Sequence, residues 1–227
     1  MSVPGVQPAA RSPRSVARRA WAIPAWGMVL GGLGLATGLA GGVRAASVQV
    51  EVQDAAGQPL GDAVVFLESP DARRLVRPLP GQVMAQEKKQ FVPGVLVVPQ
   101  GSEVHFPNQD TVRHHVYSFS PAKKFELKLY TGTPANPVLF DRPGVVVLGC
   151  NIHDQMVGWV VVVATPYYAQ TLPPSGTAQI DKVPPGNYRL RTWHTRLPVG
   201  APAQEQVLDV PVQGMAAVTV RMQGLLP

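Results

Sequence analysis

The stretch LGCNIHDQMVGW, residues 148–159, contains the single cysteine of this 227-residue chain. Two residues separate Cys150 from His153, and two more separate His153 from Met156. Valine-rich segments lie on both sides, and a glycine brackets the polar residues at each end. The pattern predicts a short loop between two β-strands. A loop this short directs the three side chains towards one point.

A thiolate, an imidazole and a thioether are ligands for a soft metal ion. A second imidazole would complete the set of two histidines, one cysteine and a weak axial sulfur that defines a blue-copper site. The segment PNQDTVRHHVYSF, residues 107–119, supplies that imidazole from His114 or His115. Zinc accepts cysteine and histidine, but a thioether is a poor zinc ligand. The combination favours copper, whereas a free cysteine alone is usually a buried apolar residue.

The first 45 residues have the layout of an export signal. They contain five arginines and no acidic residue, and an uncharged run at 20–43 separates the last two arginines. Cleavage near Ala45 is predicted to release a periplasmic protein with no stable membrane insertion. The alternative is an uncleaved anchor, because the run is long enough to span a bilayer, although its glycines and one proline disfavour this. Export through the general or the twin-arginine route stays open.

Charge excludes some partner classes for the mature chain. Without the leader, fifteen basic residues face fourteen acidic ones, and no basic stripe interleaved with aromatic residues is present. We therefore expect no nucleic-acid partner. The pair Lys123 and Lys124 is interpreted as a solvated loop, with docking of an acidic partner as the alternative. A single cysteine permits no internal disulfide, so in an oxidising compartment Cys150 is either buried and inert or held by a metal.

Short valine-rich segments separated by proline, glycine, asparagine and aspartate predict an all-β fold. After the leader at 1–45, the chain divides into three β-rich parts at 46–81, 82–166 and 167–227. The middle part contains every candidate metal ligand. The first and third parts are interpreted as one small sandwich, with the middle part inserted into it or packed closely against it.

Two resemblances fit this division. In the first and third parts, DAAGQPLGDAVVFL and VPPGNYRLR resemble the two halves of a carboxypeptidase-regulatory-like sandwich of transthyretin or immunoglobulin type. In the middle part, FVP at 91–93, VVPQG at 97–101 and His114-x-Val precede the Cys-x2-His-x2-Met loop, and this order resembles the cupredoxins. The loop spacing is similar to that of amicyanin. The strings RHHVYSFSPAKKFELKLYTGTP and LGCNIHDQM resemble the plastocyanin-like proteins associated with methylamine utilisation.

The cupredoxin resemblance implies a Greek-key β-sandwich at 82–166 that holds one type 1 copper. Carried over residue by residue, it implies four ligands: His114, Cys150, His153 and Met156. One position departs from the family pattern. Plastocyanin and amicyanin have an asparagine directly after the upstream histidine, where this chain has His115. The choice between the two adjacent histidines therefore stays open at this point.

The same resemblance implies an electron carrier and not an enzyme. Its partners would be redox proteins, with an amine dehydrogenase and a c-type cytochrome as candidates, and methylamine oxidation as the candidate pathway. No nucleophile elbow surrounds the serines near His115, so hydrolysis is not indicated. Two alternatives remain: a protein that binds and delivers copper without carrying electrons, and an interaction module in the maturation of an enzyme complex.

Overall fold

The structure is a computed structural model that describes residues 45–227. Strands make up most of this part, and its one α-helix, α1 (Pro70–Arg74), has five residues and begins after the N-cap Ser69. The predicted all-β, β-sandwich class is confirmed. The predicted leader lies outside the described residues, apart from Ala45. Within the described residues, no helix is long and apolar enough to cross a membrane.

Strands that follow one another in the sequence often belong to different sheets. They are β1 (Ala46–Gln53), β2 (Val64–Glu68), β3 (Gln82–Val83), β4 (Ala85–Glu87), β5 (Gln90–Val92), β6 (Val95–Pro99), β7 (Ser102–His105), β8 (His114–Ser120), β9 (Lys123–Tyr130), β10 (Val138–Phe140), β11 (Gly144–Cys150), β12 (Val157–Val163), β13 (Tyr168–Gln170), β14 (Thr177–Val183), β15 (Gly186–Trp193), β16 (Gln204–Val210) and β17 (Met215–Arg221).

The middle part of the chain forms a five-stranded sheet, a three-stranded sheet and a hairpin. The five-stranded sheet has the order β6-β12-β11-β8-β9, the three-stranded sheet β10-β7-β3, and the hairpin pairs β4 with β5. In the five-stranded sheet, β11 pairs antiparallel with both β8 and β12, while β6 joins β12 in parallel. This arrangement places the start of β8 beside the end of β11, and these are the strand ends where candidate ligands lie.

The two ends of the described chain share two further sheets. β1 lies between β14 and β17, and β2 lies between β13 and β15, with β16 at the edge. Strands from 46–81 therefore pair only with strands from 167–227 in these sheets of the described structure. Insertion of the middle part would produce this pairing, and we propose on this ground the domain division at 46–81, 82–166 and 167–227.

The valine run of β12 is buried on both faces. Val160 and Val162 pack into a cluster that contains Cys150, whereas Val161 and Val163 pack into a second cluster formed with the strands of the flanking sheets. A strand covered on both sides has a continuous hydrophobic sequence, which accounts for four consecutive valines. The five-stranded sheet is thus the wall between two cores.

A fragment of residues 82–166 is expected to unfold at a lower temperature than residues 46–227, or to aggregate. Its sheet would expose the apolar face of Val161 and Val163, which the flanking strands cover in the whole chain. Thermal unfolding followed by circular dichroism, together with light scattering, measures both effects. The fragment with Val161→Thr and Val163→Thr is the control and should aggregate less. A fragment as stable as the whole chain would show that the flanks are an independent domain.

Candidate metal centre

Strand register brings the cysteine and one histidine together. Cys150 is the last residue of β11 and lies opposite Val116 of β8. Along β8 the side chains alternate, so that His114, Val116 and Ser118 are buried. Along β11, Leu148 and Cys150 face the same core. Because side chains two apart on a strand share one face, the imidazole and the thiol project from neighbouring strands into one interior.

Three candidate ligand atoms converge. The Sγ of Cys150 lies 3.7 Å from Nδ1 of His114 and 3.9 Å from Nδ1 of His153, and the ligand atoms of the three residues all lie within 4.8 Å of one another. Three ligands about 2.1 Å from one ion in a common plane would be separated by roughly 3.6 Å. The observed spacing fits a metal ion at the centre of the triangle. Two nitrogens and one sulfur are donors that copper accepts.

The loop between β11 and β12 holds His153 and Met156 by backbone hydrogen bonds. The N–H of Met156 donates to the carbonyl of His153 at 2.9 Å, and the N–H of Asn151 donates to the carbonyl of His115 at 3.3 Å. Met156 is 1% exposed and packs in the same buried cluster as Cys150. The thioether predicted as the fourth ligand therefore lies in the core that surrounds the thiol.

The two adjacent histidines point to opposite faces of the sheet. His114 is fully buried beside the thiol. The Nε2 of His115 lies 2.8 Å from Oε1 of Glu126, but in an orientation that does not make a hydrogen bond. Of the two candidates that the sequence left open, the structure brings His114 to the cysteine.

Asp110 orients His114, a role that the sequence analysis did not find. Its Oδ2 lies 2.8 Å from Nε2 of His114, so that Nδ1 faces Cys150. The backbone N–H groups of Lys88 and Lys89 donate to the same carboxylate at 2.7 and 2.9 Å. A carboxylate on the remote nitrogen of a ligating imidazole fixes its tautomer and orientation. An acidic residue four positions before the histidine was the available signal in the sequence.

The electrostatics at Asp110 follow from these hydrogen bonds. Burial acts to raise its pKa, but the hydrogen bonds from Lys89, His114 and Lys88 outweigh that effect. The pKa of Asp110 is consequently held below its ordinary value of 3.8. The carboxylate is ionised at neutral pH and accepts a hydrogen bond from the N–H at Nε2 of His114.

A buried polar network supports the turn that precedes His114. The Nδ2 of Asn108 donates to the carbonyls of Val112 and Tyr130 at 2.8 and 2.9 Å, and its Oδ1 accepts from the N–H of Asp110 at 2.9 Å. The hydroxyl of Tyr130 donates to the carbonyl of Phe106 at 2.7 Å. Burial raises the pKa of Tyr130 to about 12, with a contribution from the charge of Cys150. The phenol therefore stays protonated as a donor.

Comparison with known proteins gives structural likenesses only. No family model matches the sequence, and no curated protein matches it. The similar solved structures include cupredoxins and a copper enzyme, and three of them cover 39%, 37% and 45% of this chain.

The Cu-containing nitrite reductase NirK from Thermus scotoductus SA-01 is 26% identical over 39% of this chain and 23% of that chain, with a TM-score of 0.35. The chain thus spans well under two thirds of the reductase. A purple cupredoxin from Nitrosopumilus maritimus is 22% identical over 37% of this chain and 100% of its own, with a TM-score of 0.32. The reduced state of an amicyanin mutant is 26% identical over 45% of this chain and 99% of its own, with a TM-score of 0.33.

Replacement of the two adjacent histidines should separate their roles. His114→Ala removes an imidazole 3.7 Å from the thiol and is expected to abolish tight copper binding. His115→Ala removes a side chain on the opposite face of the sheet. It should keep copper affinity within about tenfold of the wild type, because it acts on the site only through neighbouring residues. Competitive titration against a copper chelator measures both affinities. If His115→Ala loses the metal and His114→Ala retains it, the assignment is reversed.

In the metal-free protein, Asp110→Asn should make the free energy of unfolding depend less steeply on pH at acid pH. Because the folded-state pKa of Asp110 lies below its ordinary value, ionised Asp110 adds stability above pH 3.8, which is lost as the pH falls from there through the lowered pKa. Denaturant unfolding between pH 6 and the lowest pH at which the fold persists gives the slope of the free energy of unfolding against pH. Asp209→Asn, at an exposed position on β16, controls for the loss of one carboxylate. Equal slopes for wild type and Asp110→Asn would contradict the interpretation.

Proposed function

We propose that this chain is a periplasmic copper protein that carries single electrons between redox partners. One observation carries the proposal: a buried thiol lies 3.7 and 3.9 Å from two imidazole nitrogens, with a buried methionine in the same cluster. Copper bound at His114, Cys150, His153 and Met156 would supply one-electron exchange between Cu(I) and Cu(II). The proposal assigns one type 1 copper to the chain.

The protein's contribution is to hold the ligands in place. His114 and Cys150 belong to paired strands of the five-stranded sheet, so their positions are set by the ladder and the core. Asp110 fixes the imidazole of His114 through a hydrogen bond at Nε2, the ring nitrogen that does not face Cys150. Ligands positioned by the fold move little when the charge at the centre changes by one, and a small rearrangement is what rapid electron exchange requires. In this proposal the site breaks no bond in a substrate, so the chain is proposed as a carrier and not an enzyme.

His153 is the proposed route for electrons at the surface. It is the half-buried ligand of the three that converge, and it lies in the loop next to Ile152, whose side chain is 46% exposed. An apolar residue beside a partly exposed ligand allows a redox partner to approach closely and exclude water.

The proposed partners are an amine dehydrogenase and a c-type cytochrome, in methylamine oxidation. The support is the resemblance of RHHVYSFSPAKKFELKLYTGTP and LGCNIHDQM to plastocyanin-like proteins of methylamine utilisation. Export of the chain is proposed from the arginine-bearing leader. Reduction of the copper-loaded protein by methylamine dehydrogenase and methylamine, with no reduction when the amine is omitted, is the direct test of the pathway.

Cys150→Ser should abolish the strong visible absorption of the Cu(II)-loaded protein. That absorption comes from charge transfer by the thiolate, and a hydroxyl does not provide it. Absorption spectroscopy with copper analysis measures the loss, and far-ultraviolet circular dichroism shows whether the β structure persists. Ser175→Ala, at an exposed serine far from the site in the chain, is a control that should stay coloured. Survival of the colour in Cys150→Ser would refute the proposed centre.

The protein should retain its copper through repeated reduction and oxidation. A carrier needs both redox states held by the same ligands, and Cys150 and His114, 3% and 0% exposed, are shielded from exchange with competing ligands. Cyclic voltammetry in the presence of a Cu(I) chelator, followed by copper analysis, makes the test. A reversible one-electron wave with full metal content is expected. Loss of copper on the first reduction would indicate a copper-delivery protein instead.

A further inference from the structure

We propose that an apolar groove beside β8 and β11 is the docking site for a soluble redox protein with an acidic contact surface. The groove, here called the β8–β11 groove, has a volume of about 580 Å³. Its lining includes Tyr117, Phe119, Gly149, Cys150 and Val199. The electron-transfer part of this inference rests on the proposed function, whereas the docking part does not.

Tyr117, one of the residues that line the groove, packs against a glycine. A Cβ on Gly149 would lie 2.9 Å from the ring and hydroxyl of Tyr117, so the glycine lets the tyrosine pack flat against β11. The rings of Tyr117 and Phe119 are 5.3 Å apart. A larger side chain at 149 would displace Tyr117 from this position.

The rim of the groove exposes apolar side chains to an unusual degree. Phe119 is 78% exposed and Val199 is 81% exposed. An exposed aromatic ring beside other apolar residues is typical of an interaction surface, where burial by a partner removes it from water. Val199 belongs to the part at 167–227, whereas Phe119 belongs to the middle part. The groove is therefore formed jointly by two parts of the chain that we propose to be separate domains.

One end of the groove is basic. Phe119 also borders a depression lined by Lys123, Lys124, Arg142 and Asp141. Lys123 pairs with Asp141 at 3.2 Å, and the lining contains three cations but only one carboxylate. The mature chain as a whole is nearly neutral, so this excess of positive charge is local. A partner that covers Phe119 would place its own edge over these cations, and carboxylates are the complementary groups.

The groove lies against the strand that bears the proposed thiolate ligand. Cys150 and its neighbour Gly149 both line it, together with Asp154 of the loop between β11 and β12 and Val157 at the start of β12. A partner seated in the groove would contact β11 directly, one residue from the cysteine. Electrons would thus have a short covalent path from Cys150 to the contact surface, in addition to the route through His153.

The test measures binding of two probes to the copper-loaded and the metal-free protein: an acidic c-type cytochrome and a basic one of similar size. Phe119→Ser removes the apolar anchor and Lys124→Glu reverses a charge at the basic end. Leu172→Ser and Arg221→Glu are matched controls at exposed positions outside the groove. Calorimetry at low ionic strength gives the affinity, nuclear magnetic resonance shifts locate the contact, and voltammetry gives the reduction potential of each variant.

We expect the wild type to bind the acidic cytochrome more tightly than the basic one, with affinity falling as salt is added. Phe119→Ser and Lys124→Glu should each weaken that binding on the order of tenfold, while the controls and all reduction potentials stay unchanged. Equal affinities of groove variants and wild type, or shifts located elsewhere, would overturn the docking site. If copper fails to bind or to cycle, the proposed function fails, and the metal-free protein still decides the docking question.

Discussion

The pairing of β8 with β11 is the constraint on which the site depends. Its register sets Cys150 opposite Val116, and the alternation of β8 then turns His114 towards the same interior. The thiol and the first imidazole are thereby held 3.7 Å apart by backbone hydrogen bonds and packing. A slip of one residue would present His115 in place of His114 and expose Val116, the buried valine of β8. The register is consequently protected by the hydrophobic core as much as by the ladder.

The local part of the site was predictable from the sequence because its chemistry is local. Cys150, His153 and Met156 follow one another at short spacing in a loop, so no knowledge of distant contacts was needed to bring them together. The all-β class was likewise predictable from valine alternation and turn residues. His114 required more, since two adjacent histidines have equal chemistry and only the burial pattern of β8 separates them.

What the sequence did not predict depends on contacts between distant segments. Asp110 acquires its role because the N–H groups of Lys88 and Lys89, on a separate hairpin, hold its carboxylate against His114. The pair Lys123 and Lys124 was interpreted as a solvated loop, whereas both residues begin β9. The valines of β12 indicated a strand, but the sequence does not tell whether one core or two cover such a run. Such features become visible only when the sheets are assembled.

The position of β1 has a consequence for the order of folding. β1 is the first strand of the described chain and pairs in parallel with β17, the last, with Ser47 opposite Met215. Closing so long a loop in an unfolded chain is entropically costly, and contacts of this kind slow folding. Once the middle strands have formed their own core, the loop that remains to be closed is much shorter. We therefore expect assembly to proceed from the centre outwards, with β1, the first strand of the described residues, among the last to pair.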